Sequence, residues 1–246
     1  MTGGAADTRN LRSAIAGLIG FAAAEEQVLL MATSTVPEAQ PGTALQWAAA
    51  PIVAHNTEFK AQQTARLCAI AEGRVPPEFA EIDHTSDELY LGYAAQPAGR
   101  VAADSNRVSG ELIAGLALVS SEDLLDPSRN PWLKGRQLWL QVVVRGFWHP
   151  SGHLADYYQA HGQAERAVAL ASHGLATSTY LRAPEQARGM AAYNLACAQA
   201  KAGRLNEAAA SVAQTVSLNP DLRGKIGTEP DLAALRTGGY LAAALA

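Results

Sequence analysis

Apolar residues recur at helical spacing almost without pause from Leu11 onward, and runs that alternate apolar and polar side chains between hairpin turns are hard to find. That pattern restricts the chain to folds in which each helix buries one stripe against other helices. Leu11, Ile15, Leu18, Ile19, Ala22, Val28 and Leu29 fall near one such stripe and predict a helix over about 8–32. The segment TSTVPEAQPGTA closes it, because two prolines and a glycine make a poor helix interior. A second helix is expected over about 44–72 through Leu45, Trp47, Ile52, Val53, Phe59, Leu67 and Ile70, with Pro51 either bending it or marking a late start. A third follows over about 101–119 through Val108, Leu112, Ile113 and Leu116. The stretch LKGRQLWLQVVVRGFWHPSGHLADYYQAHG reads as a long fourth helix, interrupted or bent near Pro150. Between the second and third lies EGRVPPEFAEIDHTSDELYLGYAAQPAGR, a polar connection of the length usually kept for surface cover or a lid, in which SDEL begins like a capped turn.

A chain of 246 residues can bury a substantial core in one large domain or two small ones. Hydrophobic residues at 48% and charged residues at 17%, with a mean hydropathy of -0.03, describe an ordinary soluble globular protein. The net charge of -4 offers no broad basic surface, which argues against nucleic acid or anionic lipid as a partner. Membrane insertion is not expected either: the most apolar run, AIAGLIGFAAAEEQVLLMA, is broken by Glu25 and Glu26 before it reaches the roughly 18 residues a span requires. The opening MTGGAADTRN lacks the charged-then-apolar order of a secretion signal. Cys68 and Cys197 lie among apolar neighbours in expected helices and read as buried free thiols, which suits a cytoplasmic protein without a disulfide framework. No P-loop, dinucleotide fingerprint, HExxH or GxSxG pattern is present.

Beyond residue 160 the texture changes. HLADYYQAHGQAERAVALASHGLA and YNLACAQAKAGRLNEAAASVAQTVSLNP can be laid on each other, with turns at Gly162 and Gly203 followed five residues later by Ala167 and Ala208. Two helix–turn–helix units follow, with small residues where helices cross. The second resembles a tetratricopeptide repeat through Leu195, Ala196, Gly203, Ala208 and Pro220, and the first matches less well through Leu154, Ala155, Tyr158, Gly162 and Ala167. The aromatic residue usual near the start of such a repeat is replaced by Ala192, with Tyr193 adjacent. Because so few repeats rarely stand alone, these helices are expected to lean on the preceding ones.

Histidines supply the candidate chemistry. His149 and His153 stand four apart in RGFWHPSGHLADYY, so on one helix both imidazoles can face a single ion. Two ligands seldom hold a catalytic metal, and His55 in WAAAPIVAHNTEF is the attractive third because its helix faces the core. No local motif links it to the pair, and a lone histidine on an apolar helix is more often a hydrogen-bonded core residue than a ligand.

The order GTALQWAAAPIVAHNTEF, a helix, an Asp- and Pro-rich turn, then GRQLWLQVVVRGFWHPSGHLADY resembles the DinB-type metal-binding four-helix fold over roughly residues 8–180. That family includes thiol-dependent transferases and isomerases. The resemblance implies His55, His149 and His153 as metal ligands. Together the two resemblances predict an all-α protein with a DinB-like bundle over 1–160 followed by a tetratricopeptide-like extension over 161–246.

Three neutral imidazoles would leave zinc, nickel or a similar ion open to water or substrate, including a low-molecular-weight thiol. Metal-assisted thiol transfer or hydrolysis of a small molecule is the expected function. The alternative is a non-catalytic helical-repeat scaffold that recognises a peptide or protein partner. Stoichiometry stays open, an exposed helix face being able to pair two copies as a homodimer.

Pro150 decides between two outcomes at the site. Either the fourth helix kinks and both imidazoles converge, or His149 caps a fresh helix with Pro150 at its first position and points away. Glu58, one turn beyond His55, either orients a ligand and moves a proton or is a solvated helix charge. His84 could reach over the pocket from the long connection, though surface placement is the default for it, and His161 and His173 read as solvated or packing residues. The four tryptophans read as packing, with Trp148 also placed to wall a pocket.

Overall fold

The structure is a computed structural model that describes residues 3–33, 47–79 and 87–245; His84 and Leu45 lie outside them. The described residues are helices and short connections with no strand among them, so the chain is all-α. It divides into two compact units, Met1–Pro150 and Ser151–Ala246, a boundary earlier than the expected one after residue 160.

In the first unit α1 (Gly3–Thr33) buries Ile15, Leu18, Ile19, Ala22 and Leu29 completely. Val28, expected on this stripe, is 47% exposed, and the buried position three residues before Leu29 is Glu26. Between Thr8 and Thr33 α1 is long and apolar enough to cross a membrane by length and composition, despite Glu25 and Glu26, and half of that window is buried in the structure. Glu26 is held by Lys60 of α2 (Ala49–Ala71), with Lys60 Nζ 2.6 Å from Glu26 Oε2. Ser105 donates to the same oxygen at 2.6 Å, and Lys60 also donates to Ser109 at 3.2 Å. Both charged side chains are fully buried.

Helix α2 begins at Ala49, so Pro51 marks a late start. It occupies the first turn, where its missing N–H would have had no intrahelical partner. The connection after α2 contains a helix, α3 (Asp87–Ala94), which sequence periodicity had not separated from loop. α4 (Ala98–Leu118) packs along α2 and against α1. A short α5 (Ser121–Leu125) follows, capped by Ser120, which accepts from the Asp123 N–H at 3.0 Å.

The fourth long segment is α6 (Leu138–Val143), a π-helical turn over Val144–Trp148, and α7 (His149–Ala160). The π turn is the local answer to Pro150. An α-helix here would leave the Gly146 carbonyl without a donor and crowd it against the proline ring. Instead the register widens, the His149 N–H donates to the Val144 carbonyl, and His149 stays helical at φ -62 and ψ -50. His149 is therefore not the cap of a new helix. A Cβ on Gly146 would lie 2.7 Å from Ile19 Cγ1 and 3.1 Å from Leu112 Cδ2, so glycine permits the π turn's close approach to α1 and α4.

The second unit contains most of α7, then α8 (Ala164–Tyr180), α9 (Glu185–Lys201) and α10 (Leu205–Leu218). Short helices α11 (Arg223–Thr228), α12 (Ala233–Thr237) and α13 (Tyr240–Leu245) complete it. The turns after α7 and α9 share one construction. Gly162 and Gly203 take φ of 72 and 77, and the next amide reaches back to close each helix, Gln163 to Tyr158 and Arg204 to Gln199. Ala167 and Ala208 are completely buried, as expected of small residues at helix crossings.

Gly189 makes the tightest approach in this unit. A Cβ there would meet Asn219 Cβ at 2.5 Å and the Asn219 backbone nitrogen at 3.1 Å. Backbone cannot rotate aside as a side-chain tip can, so the Gly189→Ala variant is expected to lose about 2 kcal/mol despite alanine's better helix propensity. Chemical denaturation followed by circular dichroism measures this, and an unchanged midpoint would contradict the packing described.

Candidate metal centre

His55 reaches the core because its position on α2 is shared with Ile52 and Phe59, three residues before it and four after, both buried. It is only 1% exposed and is walled by aromatic rings: Trp47 at 6.0 Å, Tyr93 at 5.9 Å and Phe59 at 4.7 Å between centroids. His149, just after the π turn, places its Nε2 3.2 Å from His55 Nε2 and stacks its ring on Phe59 at 4.5 Å. His153 lies one turn further along α7. The helix itself sets it beside His149, since the unit boundary falls within α7.

One ligand atom from each of His55, His149 and His153 lies within 4.8 Å of the others, close enough to hold a metal ion. His55 and His149 are hydrogen-bonded through Nε2 at 3.2 Å, a separation close to the about 3.3 Å that two nitrogens take on a tetrahedral zinc bound at about 2.0–2.1 Å. The donor set is neutral nitrogen, which suits zinc, nickel and similar ions over calcium or magnesium. His55 is buried and the other two are half-buried. The structure thus brings together the three histidines named from the sequence, 94 residues separating the first two.

Glu58 is not simply a solvated charge. It accepts a hydrogen bond from the Tyr93 hydroxyl, and Gln62 donates to its other oxygen at 3.4 Å. Burial, and then the Glu58 carboxylate, raise the Tyr93 pKa, keeping the hydroxyl protonated as a donor. Tyr93 comes from α3, inside the stretch read as a connection, and only the start signal in SDEL hinted at it.

Two arginines had not been singled out, and one of them, Arg145, shares Phe59 with the cluster. The Arg145 guanidinium carbon lies 4.1 Å from the Phe59 ring centre, and Arg66 lies 5.0 Å from the rings of both Phe79 and Trp132. Burial, and then the charge of Arg66, lower the Arg145 pKa to about 10, which leaves it cationic at neutral pH.

His161 and His173 belong elsewhere. His161 Nδ1 bonds the Tyr157 carbonyl at 2.8 Å and its ring stacks on Tyr157, while His173 is exposed on α8. Both cysteines are free and half-buried. Burial, followed by Asp231, Glu229 and Asp156, holds the Cys197 thiol well above its ordinary pKa, so it is no thiolate nucleophile at neutral pH. A groove of about 610 Å³ in the first unit, lined by Ile70, Arg74, Asn130 and Trp132, includes none of the three histidines.

No protein-family model, curated protein or solved structure matches the chain.

Proposed function

We propose that this protein is a metal-dependent enzyme that acts on a small molecule by thiol transfer or hydrolysis, with zinc or nickel held by His55, His149 and His153. The observation that carries this reading is the convergence of three imidazoles from distant parts of the chain, two of them already at the separation a shared ion imposes. The likeness of the residue order to DinB-type proteins supports it, as does the π turn at Val144–Trp148, since such turns concentrate at functional sites. In this reading the bound ion supplies a Lewis acid that activates water or a low-molecular-weight thiol near neutral pH.

The chain's own residues do the rest. Trp47, Phe59 and Tyr93 surround the deepest ligand and limit water around it. Glu58, oriented by Tyr93, is the carboxylate assigned to move a proton. The helix–turn–helix units of the second part form a tetratricopeptide-like extension in this reading, and the protein works in the cytoplasm.

The test is the metal content of protein purified without added metal, joined to an anomalous-scattering map. One transition ion per chain, with its peak among the three rings, is the expected result. Metal-free protein whose melting temperature does not respond to zinc or nickel would leave the scaffold reading instead.

A further inference from the structure

Arg66 and Arg145 differ from the ion-paired arginines of the chain in what they lack, and among the described residues Arg66 is the one buried arginine. Arg74, Arg100, Arg107, Arg129, Arg188 and Arg204 each meet a carboxylate within salt-bridge distance. Among the described residues no carboxylate does so for Arg66 or Arg145. Yet both are withdrawn from water: Arg66 is 8% exposed, and Arg145 is half-buried.

Among the described residues the polar partner of Arg66 is the Pro77 carbonyl, reached by Nε at 3.3 Å, which leaves its terminal nitrogens as donors. Aromatic rings fix the orientation of both guanidiniums. Arg66 stands seven residues after Phe59 on α2, two turns along the same face, and Arg145 lies over the Phe59 ring, an arrangement in which the charge of Arg66 disfavours the charged form of Arg145. Keeping two like charges together in a partly desolvated place is unfavourable unless an anion joins them.

We propose that Arg66 and Arg145 bind the oxyanion group, carboxylate or phosphate, of an anionic small molecule whose reacting end reaches the histidines. Phe59 makes the connection: Arg145 covers its ring and His149 stacks on it, so the anion subsite and the cluster share one aromatic residue. A guanidinium offers parallel N–H donors that match the paired oxygens of either anion. The position of the reacting end rests on the metal-site reading; the anionic character of the ligand rests on the arginines alone.

The test is calorimetric titration of the as-purified protein with inorganic phosphate and with acetate at constant ionic strength. At least one probe should bind. Arg145→Gln and Arg66→Gln should each weaken that binding about tenfold or more, the loss expected for a charge-assisted hydrogen bond, without changing metal content. Arg145→Lys, which keeps the charge but not the fork, should recover part of the affinity and guards against a folding defect. Preference for phosphate or for acetate identifies the anion.

His153→Ala separates the two readings. Anion binding unchanged in that variant supports the arginine subsite even if no metal is ever found. Binding lost in His153→Ala but kept in both glutamine variants places the anion on the metal and overturns the proposal. So does the failure of both probes to bind wild-type protein.

Discussion

Replacing His149 with alanine is expected to abolish stoichiometric metal binding and, with it, the share of thermal stability that metal supplies. His149 stands at the centre of the cluster, its Nε2 3.2 Å from that of His55 and its helix carrying His153 one turn away. Without it, two imidazoles remain, and two nitrogen ligands hold a divalent ion far more weakly than three. An ion present at a thousand times its dissociation constant stabilises the folded chain by about 4 kcal/mol, so a chelator should lower the melting temperature of wild-type protein by several degrees. The same chelator should leave His149→Ala unmoved. The variant also loses the ring contact with Phe59, worth about 0.5–1.5 kcal/mol, but that loss is present with or without chelator and subtracts out. Acid should release the ion from wild-type protein, because only neutral imidazole coordinates it. Elemental analysis and melting curves with and without chelator decide the matter. An alanine variant with full metal content would remove His149 from the ligand set.

The second large effect is expected away from the histidines. Lys60→Met keeps the length and apolar stem of the side chain but removes the ammonium that Glu26 faces at 2.6 Å, with both groups sealed from solvent. Glu26 would keep its bond from Ser105 but lose its only cationic partner among the described residues. Breaking a buried pair by removing one member costs about 3–5 kcal/mol, because the surviving charge remains desolvated. The double variant Glu26→Leu with Lys60→Met should recover most of that loss, since apolar replacement of a whole buried pair is close to neutral. Urea denaturation of wild-type, single-variant and double-variant proteins forms the cycle. A single variant as stable as wild type would show that the pair is not buried as described.

Much of the architecture could be read from local pattern. Ile15, Leu18, Ile19 and Ala22 announce α1 because a helix brings residues three and four apart to one face, whatever else the chain does. The turns at Gly162 and Gly203 were legible for a similar reason: a left-handed residue at a helix end favours glycine. Local pattern was less informative where it competed with packing. Val28 carries an apolar side chain but faces outward, while Glu26 carries a charge and faces inward, because Lys60 of α2 is there to meet it. Likewise α3 was lost in a polar stretch whose contribution, the Tyr93 hydroxyl on Glu58, depends on another helix.

At the histidine cluster, the pairing of His149 with His153 belonged to the sequence, being a matter of helical repeat. Pro150 left it undecided whether that repeat would survive, and a π turn preserved it by shifting the His149 amide to the Val144 carbonyl. The approach of His55 and the stacking of Arg145 and His149 on Phe59 belonged to tertiary structure alone. Helical periodicity specifies which side of a helix is buried; only the packing of one helix on another specifies which distant residue it is buried against.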